Sequence, residues 1–496
     1  MTHTSDKALQ RTALAVSCLA SFMTPFMGQA INMALPTIGR QFGMDVIGLN
    51  WIVTGYALAA AMFLIPCSRI ADIAGRKKVF TVGILIQTLG SLLCGLSTSG
   101  GWLIAFRGVQ GFGGAMLFGT GMAVLTSVFP PERRGWALGF NTAAVYLGLS
   151  LGPPVGGFLT RYLSWRAVFF VHMPIGAAAL ALIWWKLEGE WTEAKGERFD
   201  WVGAILFGVA MAALMLGIPS FAKGASGAVG GSFAGAGLVG LCVFVFWEIR
   251  QRHPMLEVRL FVSHRVYGFS NLAALIHYSA TASLGFLLSF YLQSVRGMAP
   301  NHAGYIQLVQ PSMMALFSPM AGRWSDRMEP RALASTGMGL TLCGILALAS
   351  VNADTSILFL VLNLAVMGFG FALFSSPNTN AVMGSVERRL LGVASGTLAT
   401  MRTVGMMLGM GVCMLVQSRI IGPNQITPDR YGAFLHSMRV ILVISSASCL
   451  VGIFASLARG NTREAAGGGG SEMGSAARLQ ELPVIESPLP MKGQEP

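Results

Sequence analysis

Ser68-Arg69-Ile70-Ala71-Asp72-Ile73-Ala74-Gly75-Arg76-Lys77 recurs, in a looser form, as Gly322-Arg323-Trp324-Ser325-Asp326-Arg327-Met328-Glu329-Pro330-Arg331. Each copy follows an apolar run and sets an aspartate among basic neighbours, and the two aspartates lie 254 positions apart. Glu132-Arg133-Arg134 recurs in the same way as Glu387-Arg388-Arg389, at an offset of 255. Two independent landmarks at nearly one offset define an internal repeat. Within the motif, Gly75 permits a tight reversal, and Asp72 can accept from Arg76 or from the amides that open the next helix. Asp72, Gly75, Arg76, Lys77, Asp326 and Arg327 are therefore read as a polar clasp on one membrane face, a gate that holds the halves shut there and releases as they rock.

The sequence around these motifs is apolar. Of 496 residues 53% are hydrophobic and only 11% are charged, where a soluble domain carries roughly 25% charge because its surface faces water. Fourteen runs reach the ~20 residues that cross a ~30 Å hydrocarbon core as helix. Six lie at about 12–36, 48–67, 79–98, 102–128, 136–159 and 166–185, and two more at 201–221 and 228–248. The last six lie at about 267–293, 303–321, 331–350, 356–376, 390–417 and 435–457. Unpaired backbone groups are too costly in lipid for any other open structure. The expected fold class is thus an all-α polytopic membrane protein, two parallel six-helix bundles with two extra helices between them. The expected divisions are an N-terminal bundle (1–186), a linker with the two additional helices (187–265), a C-terminal bundle (266–458) and a disordered cytoplasmic tail (459–496).

The net charge of +13 does not point to nucleic acid, because the basic residues sit in short clusters between apolar runs. With fourteen spans both ends share one side. That side carries 24 of the 34 lysines and arginines, the other side carries eight, and Arg107 and Arg402 fall inside spans. A three-to-one bias places both termini in the cytoplasm. The seven cysteines are scattered through apolar runs with no close pair, which suits neither a disulfide framework nor a zinc site. The first apolar run is too long for a removable signal peptide.

Several motifs, taken in order, resemble the major facilitator superfamily, and within it the fourteen-helix drug/proton antiporter group. They are Asp72-x-x-Gly75-Arg76-Lys77, Arg107-x-x-Gln110-Gly111 and Gly148-x-x-x-Gly152-Pro153-x-x-Gly156-Gly157. Trp165-Arg166, Met173-Pro174-Ile175-Gly176, Asp200-Trp201 and Tyr291-Leu292-Gln293 extend the resemblance over most of the chain. It implies the major facilitator fold and a carrier working by alternating access, with the glycine motif associated with exporters. Gly148, Gly152 and Gly156 recur every four residues, the spacing at which two membrane helices touch backbone to backbone, and Pro153 adds a bend. Gly148, Gly152, Pro153, Gly156 and Gly157 are read as a hinge and seal between the halves, with Gly405 and Gly409 as the counterpart in the second half.

Polar residues inside spans are expensive and usually face an interior. Gln29, Asn32, Arg107, Gln110, Asn271, His277, Tyr278, Gln307, Gln310, Asn378 and Arg402 are the candidates to line a substrate cavity near the midplane. In the drug antiporters the first span usually carries an acid; this chain has Met27 in its place, and all 21 acids fall in loops, at span ends or in the tail. A cationic substrate then lacks a partner, and Arg107 and Arg402 favour neutral or anionic amphiphiles. His277 is the candidate proton carrier. The expected partners are a small-molecule substrate, the lipid bilayer and protons, with no cofactor, no metal, no nucleic acid and no accessory export protein identifiable. No enzyme chemistry is expected, and a missing Gly-x-x-x-x-Gly-Lys-Ser/Thr motif excludes a P-loop for ATP. Proton-coupled efflux of drug-like compounds from a bacterial inner membrane is the leading expectation. A facilitator or exporter of one neutral or anionic metabolite, and a transport-silent membrane sensor, stay open beside it. Reporters fused at the two ends should both read as cytoplasmic; opposite sides would require an odd number of spans.

Overall fold

The computed structural model describes residues 2–220, 227–251, 254–386 and 391–460, and among them every regular element is helical. The first half comprises α1 (Thr2–Phe42), α2 (Val46–Ala74), α3 (Arg76–Leu96), α4 (Gly100–Val128), α5 (Pro131–Tyr162), a short α6 (Ala167–Phe170) and α7 (His172–Lys186). The hairpin α8 (Trp201–Ser220) and α9 (Gly227–Arg250) follows, then a one-turn α10 (Arg259–Ser263). The second half holds α11 (Arg265–Thr281), α12 (Leu284–Phe290), α13 (Pro300–Gln307), α14 (Val309–Arg327), α15 (Pro330–Ala349), α16 (Ile357–Gly384), α17 (Leu391–Ile420) and α18 (Tyr431–Ala458). Among the described residues twelve stretches are long and apolar enough to span a membrane, and α8 adds a shorter apolar helix, Trp201–Gly217. This is a multi-pass membrane protein.

The repeat read from sequence is a repeat of packing. In the first half α5 lies on α1, and α4 lies on α2 and α3; in the second, α17 lies on α11, and α16 on α14 and α15. Across the divide α5 meets α13 and α14 while α17 meets α2, a reciprocal exchange. The hairpin α8–α9 rests against α2 and α17, along one of these two seams. Of the repeat landmarks, residues 387–389 and the side chains of Glu132 and Asp326 lie outside the described residues, as does the tail from residue 461.

Several expected spans are broken helices. The sixth is interrupted at Val171, between α6 and α7. The ninth is interrupted at Ala282–Ser283 and closes in a π turn, Tyr291–Val295, and the tenth is interrupted at Leu308. Pro311, three residues past that last break, has no N–H to return to the carbonyl of its preceding turn. Apolar periodicity runs through such breaks unchanged, so it cannot reveal them.

The glycine motif does two jobs on two faces. A Cβ at Gly148 would come within 2.5 Å of the Phe22 carbonyl oxygen, one at Gly152 within 2.6 Å of the Gln29 Cβ, and one at Gly156 within 2.6 Å of the Ala30 Cα. This stripe therefore seats α5 on α1 inside the first half, not between halves as expected from sequence. The cross-half contact belongs to Gly157 and Pro153: a Cβ at Gly157 would collide with the Pro300 carbonyl, and one at Gly304 with the Pro153 carbonyl. Residues four apart stay on one helix face, and one further residue turns by about 100° onto the next. Gly405 and Gly409 press α17 onto α11 at the Leu275 and Ser279 carbonyls, the same contact in the second half.

At the end of the molecule opposite the termini the halves are pinned together. Asn50 of α2 donates to the Gln417 Oε1 of α17 at 2.6 Å, and the Val46 amide donates to the Asn424 carbonyl at 3.2 Å. Ser289 donates to the Asn32 carbonyl, and Gln293 donates to the Met33 carbonyl at 3.1 Å. The largest apolar cluster spans both halves here, including Met27, Ile31, Leu35, Leu284, Leu287 and Tyr291. At the other end a cavity of about 280 Å³ lies between α2, α17 and the turn at 254–257, while Ser395 of α17 still reaches Met122 of α4 at 3.6 Å. The halves are thus hydrogen-bonded together opposite the termini and flank a cavity beside them. Gly157→Ala should cost about 1–3 kcal/mol in thermal unfolding, the usual penalty of overpacking. Gly139→Ala, where a Cβ meets nothing within 4 Å, should cost nothing.

Candidate functional site

The seam between the halves holds a group of polar and aromatic side chains at mid-depth. Arg402 of α17 donates from Nη2 to the Thr379 Oγ1 of α16 at 2.6 Å, and its guanidinium carbon lies 5.4 Å from the centre of the Tyr278 ring of α11. Its Nε has no hydrogen-bond partner, and no carboxylate among the described residues pairs with it. Tyr278 stands edge-on to Phe371 of α16, with centroids 5.4 Å apart. Across the seam Tyr146 of α5 accepts from the Ser318 hydroxyl of α14 at 2.8 Å. Arg402, Tyr278, Thr379 and Tyr146 are all half-buried. Thus α5, α11, α14, α16 and α17 bring a cation, two phenols, hydroxyls and an aromatic wall to one place.

Further toward the end opposite the termini, Gln29 and Asn32 face α12. A Cβ at Gly285 would come within 2.7 Å of the Asn32 Nδ2 and 3.4 Å of the Gln29 Oε1, so glycine there lets these amides reach the second half. Asn32 Oδ1 is buried and lacks a donor, as is Gln307 Nε2 an acceptor. Gln310 is half-buried on α14. Unsatisfied buried amides are costly to leave unmade, and at a seam they are groups ready to meet a ligand.

Other candidates lie elsewhere. Arg107 is buried at 1% exposure among α2, α3 and α4. It donates to the Ile52 carbonyl at 3.0 Å and to Gln110 Oε1 at 2.5 Å, while Gln110 donates to Ser91 at 2.7 Å. Its guanidinium also covers the Tyr56 ring at 4.5 Å, an attraction of about 2 kcal/mol when desolvated. This network knits three helices of one bundle. Asn271 donates to the Tyr267 carbonyl one turn back on its own helix. His277 sits in an aromatic cage, its ring 4.0 Å from Phe374 and 4.8 Å from Phe371, and neither ring nitrogen has a hydrogen-bond partner. A relay needs a neighbour to pass its proton to, and this cage supplies none. Met27 is core, at 1% exposure.

Asn378 belongs to a cluster that sequence reasoning missed. Its Oδ1 accepts from Arg459 Nη1 at 3.2 Å, and Arg459 also donates to Ser270 Oγ at 3.2 Å and to the Pro330 carbonyl at 2.6 Å. Burial lowers the Arg459 pKa to about 10, which leaves it cationic at neutral pH. In the sequence Arg459 reads as the first residue of a polar tail; only the fold turns it inward, to tie the end of α18 to α11, α15 and α16.

The clasp is assembled, but within one half. Asp72 accepts from Arg76 Nε and Nη2 at 3.0 and 2.9 Å, and Arg76 also reaches Ser127 of α4 at 2.8 Å and Glu193 at 2.7 Å. The segment 187–200 lies across the loop like a strap. The Arg76 amide donates to the Trp191 carbonyl at 2.9 Å, the amides of Glu193 and Ala194 donate to the Asp72 carbonyl, and Glu190 caps α3 by accepting from the Lys77 amide at 2.8 Å. Gly75 is required twice over: its φ is 121°, and a Cβ would strike the Glu190 carboxyl. Arg69 pairs with Glu197 at the edge of the cavity between α2 and α17.

Two bundles of repeated packing, a polar seam at mid-depth and a cavity between the bundles toward one end define a secondary transporter. The family model of the Major Facilitator Superfamily matches residues 17–410 and 270–484, and the chain belongs to that family. It is 26% identical to the riboflavin transporter RibZ of Clostridioides difficile, over 89% of this chain and 95% of that one. It is 33% identical to the cephamycin export protein CmcT of Amycolatopsis lactamdurans, over 84% of this chain and 86% of that one. Among solved structures, a bacterial homologue of the human lysosomal transporter Spinster, in an inward-facing and unoccupied conformation, matches with a TM-score of 0.64 at 15% identity. That match covers 92% of this chain and 98% of the other, a likeness of fold alone.

Asp72→Asn should slow transport several-fold while leaving membrane insertion intact, since Arg76 stays buried with one charge partner fewer. The check is initial rate per inserted molecule, and an unchanged rate would remove the clasp from the mechanism.

Proposed function

We propose that this carrier exports drug-like or metabolic amphiphiles by alternating access, prefers neutral or anionic substrates, and draws on the proton gradient. Arg402 carries the substrate preference. It is a half-buried guanidinium on the seam whose partners are a hydroxyl and a ring face, so its charge is left for a ligand. A buried charge without a counter-ion is costly, and an anionic or strongly hydrogen-bonding substrate relieves that cost. Tyr278 and Phe371 offer the flat apolar part of such a molecule a wall to stack on. The likeness to CmcT supports export, as does the seating of α5 on α1 through the glycine stripe.

Membership of the fourteen-helix antiporter group is supported by the α8–α9 hairpin lodged between the halves. The basic bias supports a cytoplasmic placement of both termini, which makes the end with the cavity the inner one, and a bacterial inner membrane fits the relatives. In this orientation the substrate enters from the cytoplasm, meets Arg402, and leaves once the contacts around Asn50, Gln293 and Gly157 part.

A second reading follows from Met27. With a core methionine where the antiporters usually carry an acid, the chain is a facilitator or exporter of one metabolite, uncoupled from protons. Transport in proteoliposomes of cationic, neutral and anionic amphiphiles, with and without a pH gradient, decides between them. Gradient-driven movement of neutral or anionic compounds is expected; movement indifferent to the gradient favours the second reading. Arg402→Gln should lower transport of anionic compounds by roughly tenfold or more, the worth of a hydrogen bond to a charged group, with neutral compounds less affected. Equal loss for both would overturn the role given to Arg402.

A further inference from the structure

Glu248 is the only acid among the described residues that is fully buried, at 2% exposure. It lies in the last turn of α9, at the base of the hairpin and at the end of the molecule that holds the cavity. Its Oε2 accepts from the Leu256 amide at 3.2 Å, and its Oε1 has no hydrogen-bond partner. Asp200, at the start of α8, stands beside it: a Cβ at Gly203 would come within 2.6 Å of Asp200 Oδ2 and 3.0 Å of Glu248 Oε1, so the two carboxylates flank one glycine. Asp200 is well supplied with donors, the Gly203 amide at 2.9 Å and the Trp247 indole at 2.8 Å. Glu248 is not.

Among the described residues, the other charged groups around this point are engaged elsewhere or repel. Glu257 follows Leu256 and adds negative charge. Arg250 lies over the Phe246 ring at 3.7 Å, Arg259 donates to the Ile249 carbonyl at 2.9 Å, and Arg69 pairs with Glu197 across the cavity from Glu257. Arg252 and His253 lie outside the described residues. A carboxylate removed from water, with only the backbone amides of Met255 and Leu256 as donors and a second carboxylate nearby, is relieved of its cost by taking a proton.

Leu256 joins this group to the moving parts. Its amide holds Glu248, and its side chain sits in an apolar cluster with Ala61 and Ile65 of α2 and with Val404 and Met407 of α17. Met255, Leu256 and Glu257 also line the cavity between α2 and α17. The turn at 254–257 is therefore a wedge in the seam between the halves, tethered at its back to Glu248.

We propose that Glu248 is the proton-binding site of this carrier. Ionised, it holds the Leu256 amide and keeps the wedge seated between α2 and α17. A proton arriving from the side of the cavity, bound at Oε1, weakens that tether and frees the wedge for the halves to rock. The part this plays in transport rests on the proton-driven reading above; the titration of the wedge does not.

Two measurements separate them. In the first, Thr397→Cys, on the cavity wall, is labelled with a charged maleimide across a range of pH, with the unsubstituted chain as background. The ratio of labelling rates between the reporter with Glu248 intact and the reporter carrying Glu248→Gln cancels the intrinsic pH dependence of the thiol. That ratio should change with pH by on the order of fivefold or more, the usual range of coupling between sites; a flat ratio overturns the proposal. In the second, gradient-stimulated transport in proteoliposomes should be lost in Glu248→Gln and kept in part, with a shifted pH midpoint, in Glu248→Asp. If the intact chain ignores the gradient while the labelling ratio still titrates, proton-driven export fails and the proton site stands. If Glu248→Gln does not fold, as judged by size exclusion, the labelling comparison is made with Glu248→Asp, and unshifted profiles overturn the proposal.

Discussion

Helix α5 lies against α1 on one face and against α13 on the next, and both contacts are made almost without side chains. Gly148, Gly152 and Gly156 admit the α1 backbone, while Gly157 and Gly304 let α5 and α13 exchange carbonyl contacts across the halves. In lipid there is no hydrophobic gain in bringing two apolar helices together, so close packing must hold them. Everything else in the molecule is arranged about this contact. It fixes the distance between bundles at the end opposite the termini. Gly405 and Gly409 seat α17 on α11 in the same manner. The hydrogen bonds at Asn50, Gln293 and Val46 lie where this close approach brings polar groups within reach.

The buried cations divide by what surrounds them. Arg107 is bonded to a carbonyl and an amide, and Arg459 to a carbonyl, an amide and a hydroxyl through Nη1 and Nη2, its Nε alone lacking a partner. They spend their donors on joining helices within a bundle. Arg402 sits where the bundles meet and is only partly satisfied. The same residue type in the same kind of apolar run thus serves as a staple in two places and as an open group in the third. Placement of neighbours, not chemistry of the side chain, makes the difference. The acidic strap at 187–200 acts similarly on the basic loop of Arg76, drawing into one bundle a charge that its motif alone leaves unassigned.

Much of this was legible in the chain. Runs of ~20 apolar residues bounded by basic clusters mark helices and their direction. The recurrence of Asp72 at Asp326 marks a repeat of packing. The breaks at Val171, Ala282 and Leu308 were not legible, because a helix can be interrupted by one turn without any change in its apolar pattern. Nor was the split among polar residues. Gln29, Asn32, Tyr278 and Arg402 stand at the seam, whereas Arg107, Gln110, His277 and Asn378 are enclosed within bundles. A three- or four-residue spacing says that two side chains share a face, and is silent about which neighbour that face meets. Arg459 and Glu248 were missed for the same reason, since each sits at the end of a helix where sequence predicts solvent.

By itself the sequence determined that the backbone must be helical, where it must cross the membrane, and that two halves share one architecture. Those are consequences of the cost of an unpaired amide or a charge in hydrocarbon, which depends on composition along a single segment. Which glycine face joins the halves, which arginine stays open to a ligand, and which carboxylate is cut off from water were decided only by tertiary structure. Each depends on atoms far apart in the chain, and the energy of a buried polar group is set by the partners that the fold brings to it.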